Sequence, residues 1–94
     1  MYRYKVKVRG TMYLWGSAGI TQNMTFPSPL LLHIRNDELG EPITFGTLSI
    51  DGTRSTIGTL KAGEFFSIPI QNICAVFATC ALDSSVCCAI AVGR

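Results

Sequence analysis

The sequence predicts an all-β fold: a small antiparallel β-sandwich, jelly-roll-like, of about eight strands in a single domain, residues 1–94. Short alternating or apolar runs recur about every ten residues, and nine glycines and four prolines separate them. No window of about eleven residues keeps the helical period of about 3.6 residues. The chain of 94 residues is long enough for one domain but near the lower limit for a self-sufficient core.

The composition favours association with other copies of the chain. Hydrophobic residues make up 48% of the sequence and charged residues only 15%. A typical soluble domain has about 25% charged residues. Because surplus apolar surface with few charges is best buried against protein, we expect a homo-oligomer or polymer, without a cofactor.

Residues 2–9 (YRYKVKVR) alternate between apolar or aromatic and basic side chains, which is typical of a half-buried strand. Residues 1–9 hold four basic and no acidic residues, hence a charge of +4; the rest holds four basic and six acidic residues, hence −2. We expect this segment to exchange or pair with the acidic body of a neighbouring copy. The side chains of this segment that we expect to contact the neighbouring copy are Arg3, Lys5, Lys7 and Arg9. Alternatively, these charges only keep an edge strand soluble and unpaired.

Gly10 interrupts this pattern, and residues 11–15 resume it after a predicted bulge or bend. Tyr13 and Trp15 are expected on one face of the strand. Such an aromatic pair favours core or subunit packing, and a sugar-stacking platform is the alternative. A more polar strand is predicted over residues 20–26, before a proline-rich break.

Residues 30–35 (LLLHIR) form a predicted short strand that contains His33, the only histidine. No cysteine or carboxylate accompanies it at metal-ligand spacing, so a structural role is expected. The next segment, residues 36–42 (NDELGEP), is the most acidic loop. We expect its three carboxylates to attract the basic strand of a neighbour: Asp37, Glu38 and Glu41. Calcium binding is the alternative, but the spacing of the known loop signature is absent.

The clearest hairpin is predicted over residues 43–60, around Asp51 and Gly52, the pair preferred in a type I′ turn. Pairing outward from this turn supports the register because each glycine meets a large side chain. The predicted pairs are Gly58 with Phe45 and Gly46 with Ile57. Residues 65–70 follow as a strand that Pro69 confines to a sheet edge or a strand end.

Residues 73–92 form the longest nearly uncharged run and hold all four cysteines. Two apolar halves flank the polar tetrapeptide 82–85 (LDSS), which favours a β-hairpin in the middle of the domain. A transmembrane helix is the alternative. It would place Asp83 near the bilayer midplane at a cost of about 2.5–3.5 kcal/mol, whereas a turn leaves it in water.

The register of this hairpin determines which cysteines can form a disulfide. A two-residue loop places Cys80 opposite Cys87, and one more loop residue places Cys80 opposite Cys88. In the first register Cys74 and Cys88 lie on different faces and cannot bridge inside the hairpin. One or both would remain buried thiols or cross-link neighbouring copies. The alternative is four buried thiols without a bridge.

Other functions lack the residues that they require. One basic strand without a recognised motif does not indicate nucleic-acid binding. The adjacent pair Cys87-Cys88 lacks the spacer of a metal site, and no convergent acid, base and nucleophile indicates an enzyme. Because no secretory signal opens the chain, we expect assembly in the cytoplasm. Release to the cell or spore exterior, or in a virion, would follow, without membrane insertion.

A distinctive order of strands and turns covers residues 40–94. It comprises GEPITFGTLSIDGT, then STIGTLKAGEFFSIPIQNICAVFATCAL, and a closing cysteine-bearing apolar strand. This order resembles the C-terminal part of the small β-sandwich subunits of bacterial endospore appendages, the Ena family. The resemblance implies a jelly-roll subunit that polymerises by strand augmentation into a disulfide-linked fibre. Those subunits use a cysteine-bearing N-terminal connector, whereas residues 1–19 contain no cysteine, so no cross-link residue is carried over.

The sequence therefore predicts a non-enzymatic structural subunit that self-assembles through β-strand edges into a fibre, appendage or virion shell. One alternative is a carbohydrate- or receptor-binding β-sandwich module that uses Tyr13 and Trp15 for ligand stacking. Another is a capsid decoration protein of a phage.

Overall fold

The structure, a computed structural model, describes residues 2–16 and 30–92. All the elements in these two ranges are β-strands, which confirms the all-β prediction. The strands are β1 (Tyr2–Gly16), β2 (Leu30–Asn36), β3 (Ile43–Leu48), β4 (Arg54–Leu60), β5 (Phe65–Ile70) and β6 (Ala75–Val92). The strand predicted over residues 20–26 lies outside the described residues.

One antiparallel sheet contains these six strands, and β6 is at its centre. β1 pairs with one edge of β6 along nearly its whole length. On the opposite edge, β3 pairs with residues 75–79 of β6, and β2 pairs with residues 86–92. β4 lies beyond β3, and β5 lies beyond β2. The central strand therefore joins two halves of one sheet, one containing β3 and β4 and the other containing β2 and β5.

The two halves curl toward each other around a single core. Buried and exposed side chains alternate at the ends of β2 and β5, as expected for strands with one face against a core. Side chains from both halves meet in one buried cluster, which consists of Val8, Leu14, Leu32, Ile34, Ile43, Phe45, Leu60, Ile68, Ile70, Val76, Ala78, Cys80, Val86 and Cys88. The apolar alternation of the sequence therefore supplies the concave face of the sheet.

The predicted cysteine hairpin is wrong, because residues 75–92 form one strand of 18 residues. Pairing with β1 is irregular at residues 81–83 but is regular on both sides of them, and Ser84, inside the expected turn, lies opposite Val8. Ser84 is only 4% exposed, and its hydroxyl donates a hydrogen bond to Asn36 Oδ1. A polar partner inside the fold thus allows the serine to continue a strand. None of the described residues belongs to a helix with the length and hydropathy needed to cross a membrane.

The first two predicted strands are likewise one strand, β1, with a register shift between Val8 and Gly10. Gly10 has a φ of 67°, in the left-handed region that glycine adopts without steric cost. The predicted bulge is therefore confirmed, but the chain continues in the same sheet. In both cases two predicted strands form one strand, which explains why the described residues contain six strands. The sandwich of about eight strands remains a prediction.

The β3–β4 hairpin is confirmed, but its turn is not of type I′. That turn requires a positive φ at both central residues, and Asp51 is not among the described residues with a positive φ. Gly52 has a φ of 87° and donates a hydrogen bond to Ser49 O at 3.0 Å. The Asp51 carboxylate instead accepts a hydrogen bond from the Thr53 amide at 2.8 Å. The loop is therefore longer by one residue, with glycine at its left-handed position.

The extra loop residue is accompanied by a change in the hairpin register. Phe45 lies opposite Gly58 as predicted, but a shift places Gly46 opposite Thr56 rather than Ile57. The strands approach closely there, because a Cβ on Gly46 would lie 2.1 Å from the Ser55 carbonyl oxygen. Glycine is needed at position 46 because the backbone of β4 lies too close to leave room for a side chain, and not because a large side chain faces it.

Candidate functional site

The basic side chains of β1 lie on the outer face of the sheet, away from the core. Lys5 is opposite Cys87 on β6, and Cys87 is opposite Arg35 on β2. One row further along, Arg3 and His33 flank Ala89 in the same way. Directly opposite residues in antiparallel strands have Cβ atoms about 4.5–5.5 Å apart. The fold therefore aligns cationic side chains of β1 and β2 on both sides of an exposed cysteine.

This face contains an open groove with a volume of about 600 Å³, which we call the outer groove. Its lining includes the exposed Arg3, Lys5, Arg35, Phe65 and Cys87 and the half-buried His33. His33 is hydrogen-bonded to Ser67 Oγ at 2.6 Å, in line with its predicted structural role. Sequence reasoning missed Arg35 and Phe65 as members of this site. Their alignment with β1 depends on strand pairing between distant segments, which alternation within one segment does not reveal.

The ion pairs of this face use only part of its positive charge. Lys7 lies 3.9 Å from Asp83, and Arg35 lies 2.8 Å from Glu38. Both pairs are largely exposed, so each contributes at most about 1 kcal/mol. Within residues 2–16 and 30–92, neither Arg3 nor Lys5 takes part in an ion pair. Their charges therefore remain open to an external anionic group.

The acidic loop, which we define as residues 37–41, follows β2 directly. It turns sharply, because the Gly40 amide donates a hydrogen bond to Asp37 O at 3.0 Å. Leu39 lies in this turn and is 95% exposed. The carboxylate residues around it are exposed as well: Asp37, Glu38 and Glu41. The loop thus presents one apolar side chain surrounded by negative charge.

Asn36 holds this loop in place from inside the fold. Its side chain is fully buried, and Nδ2 donates hydrogen bonds to Glu41 O at 2.8 Å and Leu60 O at 3.1 Å. Its Oδ1 accepts from Ser84, so every polar atom of the amide has a partner. Sequence reasoning did not single out Asn36. The sequence does indicate its burial, because Asn36 follows Leu32 and Ile34 at every second position of β2 and therefore lies on the same inward face.

The described residues include all four cysteines, and no disulfide joins any two of them. Cys74, Cys80 and Cys88 are buried thiols, and Cys87 is exposed. Cys80 lies opposite Gly10 and Cys87 opposite Lys5, five residues apart on β1, so the two cysteines are separated by roughly 16 Å, beyond the reach of a disulfide. The expected bridges from Cys80 to Cys87 or Cys88 are therefore wrong as bridges within a chain. Cross-links between copies remain a prediction.

The neighbouring Cys87 and Cys88 have opposite environments. Burial raises the pKa of Cys88 from its ordinary value of 9.0 to about 12, although a hydrogen bond with Tyr4 opposes the shift. The proximity of Cys87 raises the pKa of Cys88 further. Cys88 is therefore a protonated core thiol at neutral pH, whereas Cys87 is the exposed one of the four.

Tyr13 and Trp15 line one groove of the described residues, but they pack against different parts of the interior. A register shift between them places Tyr13 opposite Phe77 and Trp15 opposite Val76, which are consecutive residues of β6. Tyr13 packs with the small cluster of Leu48, Cys74 and Ala75, and Trp15 packs against the main core. The bulge thus assigns each half-buried ring to a different cluster. A ligand-stacking role for them remains a prediction.

No group of three or more His, Cys, Asp or Glu residues comes together as a metal site in the described ranges. The fold defines the class, an antiparallel all-β domain.

No family model and no curated protein matches the chain. Among solved structures, it is similar to a chain of the Bacillus endospore appendages, described as a novel family of disulfide-linked pili. The TM-score is 0.54 at 18% identity, over 95% of this chain and 84% of that chain. This likeness in fold confirms the resemblance predicted from residues 40–94.

Proposed function

We propose that the chain is a non-enzymatic structural subunit that polymerises with copies of itself into an appendage on the exterior of a cell or spore. The observation that carries the proposal is the set of sheet edges that no other described strand covers. Among the described strands, β1, β4 and β5 each pair with a single neighbour. Exposed strand edges are templates for pairing with another chain. The likeness in fold to disulfide-linked pili supports the same function.

The order of strands favours a head-to-tail assembly over a two-fold dimer. One half of the sheet runs from β1 through β6 and β2 to β5, with antiparallel pairing throughout. β1 of the next copy continues this order when it pairs with the open edge of β5. Such a contact joins two different surfaces, so it repeats in one direction instead of closing a dimer.

Charge favours this pairing. The acidic loop lies beside the start of β5, because the Asn36 amide donates a hydrogen bond to Glu64 O at 2.9 Å. A neighbouring β1 on that edge brings its basic residues toward the loop: Lys5, Lys7 and Arg9. Strand exchange through residues 1–9 is the other arrangement open to β1, which would leave the β6 strand of its own chain and pair with β6 of the next copy.

Electron microscopy of the purified chain tests the proposal, and fibres are the expected result. Deleting residues 1–9 is a poor test, since it also removes Val8, which is fully buried. A variant with Lys5→Glu, Lys7→Glu and Arg9→Glu keeps the core and should form far fewer fibres. Arg54→Gln changes a charge on β4, outside the predicted contact of β1 with β5, and should assemble normally when circular dichroism shows that it folds without the Arg54–Phe77 contact. A monodisperse monomer of the unaltered chain at high concentration would contradict the proposal.

A further inference from the structure

We propose that the outer groove binds the acidic loop of a second copy, with Leu39 as the apolar anchor. The inference rests on the proposed self-association and specifies a side-chain contact within it. Pairing of strand edges involves backbone groups, whereas this contact joins the outer face of one copy to a loop of the next. Leu39→Ser keeps every charge and backbone group of the strand edges, so this variant separates the groove contact from edge pairing.

The outer groove offers both components that such a loop requires. Its apolar floor includes Ala89 and the ring of Phe65, which is 76% exposed. Arg3 and Lys5 line the same groove without an ion pair to any acidic side chain of the described ranges, which contain all six acidic residues of the chain. An exposed aromatic ring beside unpaired cations fits an apolar side chain with flanking carboxylates.

The acidic loop has the complementary arrangement. Leu39 is the most exposed of the large hydrophobic side chains identified in the described ranges, at 95%. The Asp37 and Glu41 carboxylates on either side of it form no ion pair there. Asn36 fixes the loop through its buried hydrogen bonds. Little conformational entropy is lost on docking, because the loop is already ordered.

The groove is not filled by the loop of its own chain. Glu38 reaches Arg35 at the rim, at 2.8 Å. Leu39 nevertheless remains 95% exposed, so its own chain leaves the anchor in solvent. A second copy therefore supplies the loop that enters the groove, and each copy offers one groove and one loop.

Cys87 provides a direct report on this contact. It lines the groove between Lys5 and Arg35, and it is the one exposed thiol among the four cysteines. Docking of a loop covers this thiol without chemical participation. Its rate of alkylation by iodoacetamide should therefore fall on association and recover on dilution.

The test combines sedimentation velocity with mass spectrometry of alkylated Cys87 in the full chain. Leu39→Ser should weaken association about tenfold or more, since it removes one buried leucine from the contact. Leu82→Ser, which removes another exposed leucine outside the groove and the loop, should associate like the unaltered chain. Lys5→Glu and Glu41→Lys should each weaken association. The chain with both changes should recover it, because the two charges are exchanged across the contact.

The outcomes separate this contact from the proposed function. One combination of results would show that the groove contact is wrong while edge pairing stands. In it the unaltered chain assembles, Leu39→Ser assembles equally well, and Cys87 reacts at the same rate in the assembled and the dispersed chain. If the unaltered chain remains a monomer, both proposals are wrong. Slower alkylation in the assembled state, with selective weakening by Leu39→Ser, supports the groove contact.

Discussion

At the residue scale, Asn36 has an unusual position for a polar side chain. Burial of an amide is favourable only when its hydrogen bonds are satisfied, and here they reach residues of three other segments: Glu41, Leu60 and Ser84. One side chain thus joins the end of β2 to the acidic loop, to β4 and to the middle of β6. The same interaction explains why a serine-containing tetrapeptide continues as a strand.

We expect Asn36→Ala to lower the free energy of unfolding by roughly 2–3 kcal/mol, because it leaves buried groups without partners. Urea unfolding monitored by tryptophan fluorescence measures this loss. Asp37→Ala, one position along and exposed, should change stability by less than about 0.5 kcal/mol. Equal stability of the two variants would show that the buried hydrogen bonds contribute little.

Cys88 should make stability depend on alkaline pH. Below about pH 9 the thiol is protonated in both the folded and the unfolded chain, so it has no effect on the pH dependence. Between about pH 9 and its folded pKa of about 12, only the unfolded chain releases the proton, and stability falls. The decrease is a fraction of the limiting slope of about 1.4 kcal/mol per pH unit.

Urea unfolding of the unaltered chain and of Cys88→Ala, from about pH 8 to about pH 10.5, measures this dependence. The variant should be less stable at every pH but should lose less stability as the pH rises. Val76→Ala, which truncates a fully buried side chain without a titrating group, should be less stable but keep the slope of the unaltered chain. Parallel curves for the unaltered chain and Cys88→Ala would contradict the buried, protonated thiol.

At the element scale, the strands with a regular local pattern were predictable from sequence. The alternation in residues 2–9 and the turn residues around Gly52 predict β1 and the β3–β4 hairpin, and the structure confirms both. The stretch from residue 73 to residue 92 misled because local composition at 82–85 favours a turn. Its extended conformation depends on distant partners, β1 and Asn36, that a local pattern does not identify.

The β3–β4 hairpin contains two glycines with different requirements. A Cβ on Gly46 would lie 2.1 Å from a backbone oxygen, whereas a Cβ on Gly58 would make an ordinary contact with Phe45 at 3.9 Å. We therefore expect Gly46→Ala to destabilise the chain by roughly 1–3 kcal/mol through steric strain. Gly58→Ala should be neutral or stabilising by up to about 1 kcal/mol, because alanine restricts the unfolded chain. Thermal unfolding followed by circular dichroism compares the variants, and equal losses would place the hairpin in another register.

At the scale of the whole molecule, only part of the candidate site was predictable. The charges of β1 and of residues 36–42 are visible in the sequence, and their exposure is as expected. The outer groove was not predictable, because Lys5, Cys87 and Arg35 belong to three segments whose register depends on the complete sheet. The sheet also determines which edges lack a partner among the described strands, so the proposed mode of assembly depends on the fold and not on one motif.

Hydrogen exchange of the assembled and the dispersed chain, read by mass spectrometry, tests assembly through strand edges most directly. Amides of β1 and β5 that point away from their partners in the chain should exchange slowly in the assembly and fast in the dispersed chain, while buried amides of β6 remain slow in both. An assembly in which those edge amides of β1 and β5 exchange as fast as in the dispersed chain would contradict edge pairing.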